Sequence, residues 1–186
     1  QFSLFGLGVR ESVSLQLANS SSNDERFAEI SVTAFWFTVI VIFALNLISG
    51  IVSELANIWD YEVYNLHMAL KLAAFTIGSE ILANIARARG MLGKVMIGEF
   101  GYAALSFFIF WIVSQNFLLA DAFLYALLAS NIIVFCYYVI AHKDLFSTLS
   151  FSFADAKQLV ALGIPILIQN TCAIFLYSAG HYYLTL

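Results

Sequence analysis

Four ionisable side chains stand inside long apolar runs: Arg10 and Glu11 in GVRESVSLQL, Lys71 in HMALKLAAF, and Glu80 in TIGSEILAN. Spacing adds polar partners to them. His67 and Lys71 are four apart and share a helix face. Thr76, Glu80, Asn84 and Arg87 step by four, four and three along the opposite face of the same segment. Asn46, Ser49, Ser53 and Asn57 make a stripe in the preceding segment, and Asn170, Tyr177 and His181 share a face, with Gln169 beside them, in the last one. Ionisable groups inside a membrane are costly, about 2.5–3.5 kcal/mol on insertion scales, and usually face a substrate or ion pathway. A polar cavity is therefore the reading favoured for Arg10, Lys71 and Glu80. Internal salt bridges that hold helices in register are the alternative. For the Asn46 stripe and for Asn170 helix packing is the favoured reading, since interhelical hydrogen bonds contribute about 0.6 kcal/mol on average. Lys71 is too deep for easy snorkelling, being nine residues, or about 13 Å, from Glu62. Glu99 is close enough to the end of its span to reach the interface. No nucleophile–base arrangement, metal-ligand cluster or phosphate-cradling loop stands out, so no catalytic residue, enzyme activity or metal site is expected.

These groups need long apolar elements to hold them, and the composition supplies such elements. Hydrophobic residues are 62% of the 186 and charged residues 11%, with mean hydropathy +0.89. Soluble domains carry about a quarter charged residues, so this chain falls in the membrane class. The net charge of −4 is small and no basic run points to nucleic acid. Cys136 and Cys172 lie in apolar runs without CxxC spacing and read as small core hydrophobes. A spanning helix needs about 20 apolar residues. Five segments meet this: 30–53, 63–86, 100–120, 122–141 and 158–180. Residues 1–19 read as the end of another helix that carries the Arg10–Glu11 pair. None of these runs alternates as barrel strands do. The expected fold is all-α, a polytopic transmembrane helical bundle. Pro165 should end a first turn or kink the last helix. The chain opens on Gln1 and closes on an apolar run, which suggests a piece of a longer protein. Arg26, Arg87, Arg89, Lys94, Lys143 and Lys157 fall in three alternate connections, and the other two, LANIWDYE and SQNFLLAD, contain no basic residue. By the positive-inside rule the basic connections are cytoplasmic. The longest of them carries Phe146, Phe151 and Phe153, which suit either an interfacial segment or a solvated loop.

The stretch FGLGVRESVSLQLANSSSNDE resembles the second helix and following loop of polysaccharide flippases, the lipid-linked oligosaccharide branch of the multidrug/oligosaccharidyl-lipid/polysaccharide exporter superfamily. ILANIARARGMLGKVMIGEF is similar to the turn from the fourth helix into the fifth. FADAKQLVALGIPILIQNTCAIFLYSAGHYYL is similar to the start of the seventh. The order and spacing of the three segments cover essentially the whole chain. The chain departs from the family pattern at Gly180, before His181, where members often carry Asp. The resemblance implies most of the N-terminal lobe of a two-lobed transporter of 12–14 helices. In it, residues 1–142 would form that lobe, 143–157 a cytoplasmic inter-lobe loop, and 158–186 the first helix of the second lobe. It implies transport of an undecaprenyl-pyrophosphate-linked oligosaccharide across the bacterial inner membrane, for O-antigen, capsule or exopolysaccharide synthesis. Arg10 with Lys71 would hold the pyrophosphate, since arginine offers phosphate a bidentate fork. Asn46, Asn84 and Asn170 would contact sugar hydroxyls. Glu11 or Glu80 would balance charge or carry a coupling ion, proton or sodium, with no other cofactor. Membrane lipids, a polysaccharide polymerase and glycosyltransferases are the expected partners. Two further readings stay open: a cation-coupled multidrug exporter using Glu11 or Glu80, and a non-transporting membrane scaffold.

Overall fold

The computed structural model describes the backbone of residues 4–20, 24–56, 62–146 and 151–184, and side chains within 11–20, 25–51, 53–54, 67–145, 151–166 and 168–169. Among these residues the chain is all helical. In chain order the helices are α1 (Leu4–Asn19), α2 (Asp24–Ala56), α3 (Glu62–Ala88), α4 (Leu92–Val113), α5 (Leu119–Ala141) and α6 (Phe153–Leu184), with a single 3-10 turn at Lys143–Phe146. Among the described residues four segments are long and apolar enough to cross a membrane: Glu25–Ile51, His67–Ala88, Leu92–Val113 and Leu119–Ala141. The expected span 158–180 is helical within α6, but its side chains beyond Gln169 lie outside the described residues.

Helix boundaries follow local chemistry that a search for charge-free runs misses. The span expected at 100–120 is the helix Leu92–Val113, which takes in Lys94 and Glu99. It can start there because α3 closes tightly. Gly90 sits at φ +71, Met91 N–H donates to Ala86 O at 2.8 Å, and Gly90 N–H donates to Arg87 O at 3.0 Å. This is the glycine-dependent double closure of a helix C-terminus. At the far end Ser114 and Asn116 turn the chain, with Asn116 N–H donating to Val113 O at 3.0 Å. Helix α6 starts at Phe153 rather than near 158 because Ser152 caps it. The Ser152 hydroxyl accepts from Asp155 N–H at 3.2 Å, and Asp155 stands in the first turn. Pro165 lies inside α6, where it removes the N–H that would bond to Ala161 O.

Helix α3 is the hub. It packs on α1, α2 and α5, while α4 leans chiefly on α5 and touches α3 lightly; α6 packs on α1 and, less, on α2. In the most apolar stretch of each span, 67% of α3 is buried inside the bundle and 11% of α4. The core joins Val13 and Leu17 of α1, Phe35 of α2, Ile77, Ile81, Leu82 and Ile85 of α3, and Tyr138 of α5. The outward residues of α4, Phe100, Phe107, Phe108 and Trp111, are exposed. For a helix bathed in acyl chains that is the expected surface.

The three basic connections meet at one end of the bundle. Arg26 at the start of α2 pairs with Asp155 at the start of α6. Arg89 after α3 pairs with Asp144 after α5. Lys94 Nζ donates to Ala141 O at 3.3 Å, tying the start of α4 to the end of α5. At this end His142 is buried. Its Nε2–H donates to Leu82 O at 3.1 Å, which leaves Nδ1 to accept from Arg89 at 3.4 Å. Burial, opposed in part by the Leu82 bond, pushes its pKa down. The Arg89 guanidinium holds the Asp144 carboxyl below the usual range.

Candidate functional site: a polar cleft between α3, α4 and α5

The polar stripe of α3 opens into a cleft of about 290 Å³. Helix α3 lines it with Thr76, Ser79, Glu80, Ala83 and Arg87. Helix α4 adds Gly98, Glu99 and Tyr102, and α5 adds Asn131, Val134 and Tyr138. The cleft exists because α4 splays from α3 while staying against α5. That α4–α5 contact is close: a Cβ on Gly98 would meet the hydroxyl of Tyr138 and come within 2.6 Å of its ring carbon Cζ. Tyr138 in turn donates to Val95 O at 3.3 Å.

The polar groups are organised in two tiers. Toward the middle of the bundle, Thr76 donates to Asn131 Oδ1 at 3.3 Å, and Asn131 Nδ2 donates to Leu127 O at 2.9 Å and to Tyr102 OH at 3.4 Å. At the mouth Arg87 pairs with Glu99 across the gap and donates to Asn84 Oδ1 at 2.5 Å. Glu80 lies between the tiers, partly exposed. The lining carries one guanidinium and two carboxylates, a net charge of −1. Such an arrangement can accept hydrogen bonds from hydroxyls or ammonium groups.

Those of the singled-out residues whose side chains are described fall at more than one place. Glu80 lines the cleft and Asn84 flanks it through Arg87. Lys71 is partly buried and has no ion-pair partner among the described residues. It lies on the face of α3 that carries His67, and His67 meets α2: its Nδ1 is 2.8 Å from the Ser49 hydroxyl and from Ser49 O, and the hydroxyl donates to His67 O at 3.1 Å. Asn46 donates to Ile42 O of its own helix at 2.8 Å. The stripe on α2 thus supplies helix contacts at Ser49 and a local bond at Asn46. Glu11 is partly buried on α1, eight residues before Asn19. Glu80 is eight residues before Ala88, so both sit about 12 Å along their helices from the basic end. The side chains of Arg10 and Asn170 lie outside the described residues.

The sequence reading passed over Ser79, Tyr102 and Asn131 as site residues. Two signals were present. Asn131 is the one amide in a charge-free span, and Tyr102 follows Glu99 by three, which puts both on one face of α4. No family model, curated protein or solved structure matches this chain.

Proposed function

We propose that this chain is most of one lobe of a membrane transporter that moves lipid-linked oligosaccharide across the bacterial inner membrane by alternating access, with α6 opening the second lobe. The observation that carries the reading is the polar face of α3. A helix at the hub of an apolar bundle turns Thr76, Glu80 and Arg87 into a cleft instead of packing that face with apolar side chains. Intramembrane charge is retained where cargo or ions pass. In this reading the end bearing Arg26, Arg89, Lys94 and Lys143 is cytoplasmic. Arg10, with Lys71, meets the pyrophosphate; Asn46, Asn84 and Asn170 meet the glycan; Glu11 or Glu80 balances charge or carries the coupling ion. The family resemblance of the GVRES and RARG segments supports it.

A second reading has its own observation. Glu80 and Glu99 line the cleft with the rings of Tyr102 and Tyr138, a setting suited to an organic cation exchanged for protons or sodium.

The test is deletion of the gene in its host, complemented by wild type, Arg10→Ala and Glu80→Gln at equal expression. Lipid-linked glycan accumulating on the cytoplasmic face, with loss of surface polysaccharide that wild type alone restores, is the expected result. Intact surface glycan with new drug sensitivity would move the assignment to the exporter. Neither phenotype would leave a structural bundle.

A further inference from the structure

A hydroxyl inside an apolar bundle is normally satisfied, and that of Ser79 is not. Ser79 is 8% exposed and lines the cleft, and its Oγ has no hydrogen-bond partner among the described residues. Buried helical hydroxyls elsewhere in the bundle bond back to the carbonyl four residues earlier, Ser130 to Ala126 O and Thr38 to Ala34 O, both at 2.7 Å. The Ser79 hydroxyl makes no such bond and stands at the wall of the cleft.

Its neighbours across the cleft also hold open valences. Tyr102 Oη accepts from Asn131 at 3.4 Å and has its own proton left to donate. Tyr138 donates to Val95 O at 3.3 Å and keeps lone pairs to accept. Thr76 donates to Asn131 Oδ1 at 3.3 Å and can accept in turn. The charged groups are already engaged: Arg87 bonds Asn84 and Glu99, and Glu80 has an interaction of its own. What stays open is a neutral set of hydroxyls, spread over α3, α4 and α5, that both donates and accepts.

A run of adjacent hydroxyls complements such a set, because each of them also donates and accepts. Between the polar groups the lining is apolar at Ala83, Gly98 and Val134, with the rings of Tyr102 and Tyr138 beside them. Tyrosine rings offer an apolar face to the C–H side of a sugar while the phenol meets its hydroxyls. The volume, about 290 Å³, is at the lower edge of small-molecule sites and suits one six-membered ring. A single water would satisfy Ser79 but would leave the Tyr102 proton and both rings unused.

We infer that the cleft binds one neutral pyranose ring, with its hydroxyls on Ser79 and Tyr102 and its C–H face against the tyrosine rings. That this ring belongs to a transported glycan rests on the function proposed above; the binding does not. Ser79 and Tyr102 are distinct from the asparagines at 46, 84 and 170.

The experiment uses the full-length protein in dodecylphosphocholine, a detergent without a sugar headgroup, and follows methyl glucoside, methyl galactoside and methyl N-acetylglucosaminide by saturation-transfer NMR. Saturable binding of at least one is the expected result. Ser79→Ala should weaken it about fivefold without lowering the Tm of the unliganded protein, since the hydroxyl bonds nothing there. Tyr102→Phe should weaken it by a similar factor, and Ser49→Ala, which meets His67 away from the cleft, should leave it unchanged. No saturable binding of any glycoside would overturn the inference, as would binding indifferent to both cleft variants. Glucosamine or glucuronate binding at least tenfold tighter than methyl glucoside would also overturn it, by showing that charge governs the cleft. Export is read separately: surface glycan lost on gene deletion with no sugar binding strikes the cleft alone, and sugar binding with surface glycan intact strikes the transport reading alone.

Discussion

Arg26 and Asp155 offer the sharpest test of how the bundle holds α6. The two are 129 residues apart, at the starts of α2 and α6. Arg26 donates to both oxygens of one carboxylate, at 2.5 and 3.1 Å. The Asp155 side chain is 4% exposed and that of Arg26 43%. Arg26→Ala therefore strands a nearly buried carboxylate that keeps its place in the first turn of α6, where the helix dipole favours it, but loses its counter-charge. Breaking a buried pair costs about 3–5 kcal/mol. Water reaches the guanidinium here, which reduces the figure to about 2 kcal/mol. For a chain of this size about 2–4 °C of Tm follows each kcal/mol, so the variant should melt about 4–8 °C below wild type. Arg26→Lys keeps the charge without the fork and should lose about half as much. The assay is thermal melting of purified protein in detergent, run as a double-mutant cycle with Asp155→Ala. The double variant should recover at least about 1 kcal/mol relative to the sum of the single changes. Additive losses, or an Arg26→Ala Tm within about 1 °C of wild type, would refute the argument that this pair fixes α6 against α2.

Other consequences are as direct. Gly98→Ala places a methyl against the rigid, buried ring of Tyr138 and should cost about 1–3 kcal/mol by melting, part of which Tyr138→Phe should restore by removing the hydroxyl nearest the clash. His142 is neutral in the fold, facing Arg89, Asp144 and Lys94, so the unfolded chain takes up its proton first as pH falls below about 6.5. Stability should then decline from neutrality toward pH 5 and stay flat for this group above pH 7, and His142→Asn should flatten the acid side of the profile. Asp144 acts lower on the scale: its lowered pKa gives stability present above the ordinary carboxylate range and lost as pH falls through the folded value, a loss that Arg89→Gln should diminish. Ser49→Ala removes the hydroxyl that joins α2 to His67 and should cost about 1 kcal/mol. Asn46→Ala removes only a bond within its own helix; unaltered export by that variant would take Asn46 out of the glycan-binding set.

The apolar content and the length of the runs determine the class of this protein without any structure. A chain with 11% charged residues cannot cover a water-facing surface, and runs of 20 or more apolar residues must become helices where no water can satisfy the backbone. The i, i+4 steps on α3 likewise reveal that Glu80, Asn84 and Arg87 share a face, because helix periodicity is a local property. The gathering of the basic loops at one end follows from counting spans. Helix ends were less legible. Lys94 and Glu99 interrupt a charge-free run yet lie within α4, because a closure built on Gly90 starts the helix at Leu92.

What each polar face meets is a matter of tertiary packing alone. His67 and Glu80 are on one helix, and both are polar residues in apolar sequence. One contacts Ser49 of α2 and the other opens into a cleft, because α2 packs closely on α3 while α4 stands off. The pairing of Arg26 with Asp155 and the crossing of Arg87 to Glu99 depend on helices remote in the chain or rotated about their axes. No spacing rule encodes such rotations. They are set by which small residues, such as Gly98 under Tyr138, let two helices approach and which side chains hold them apart.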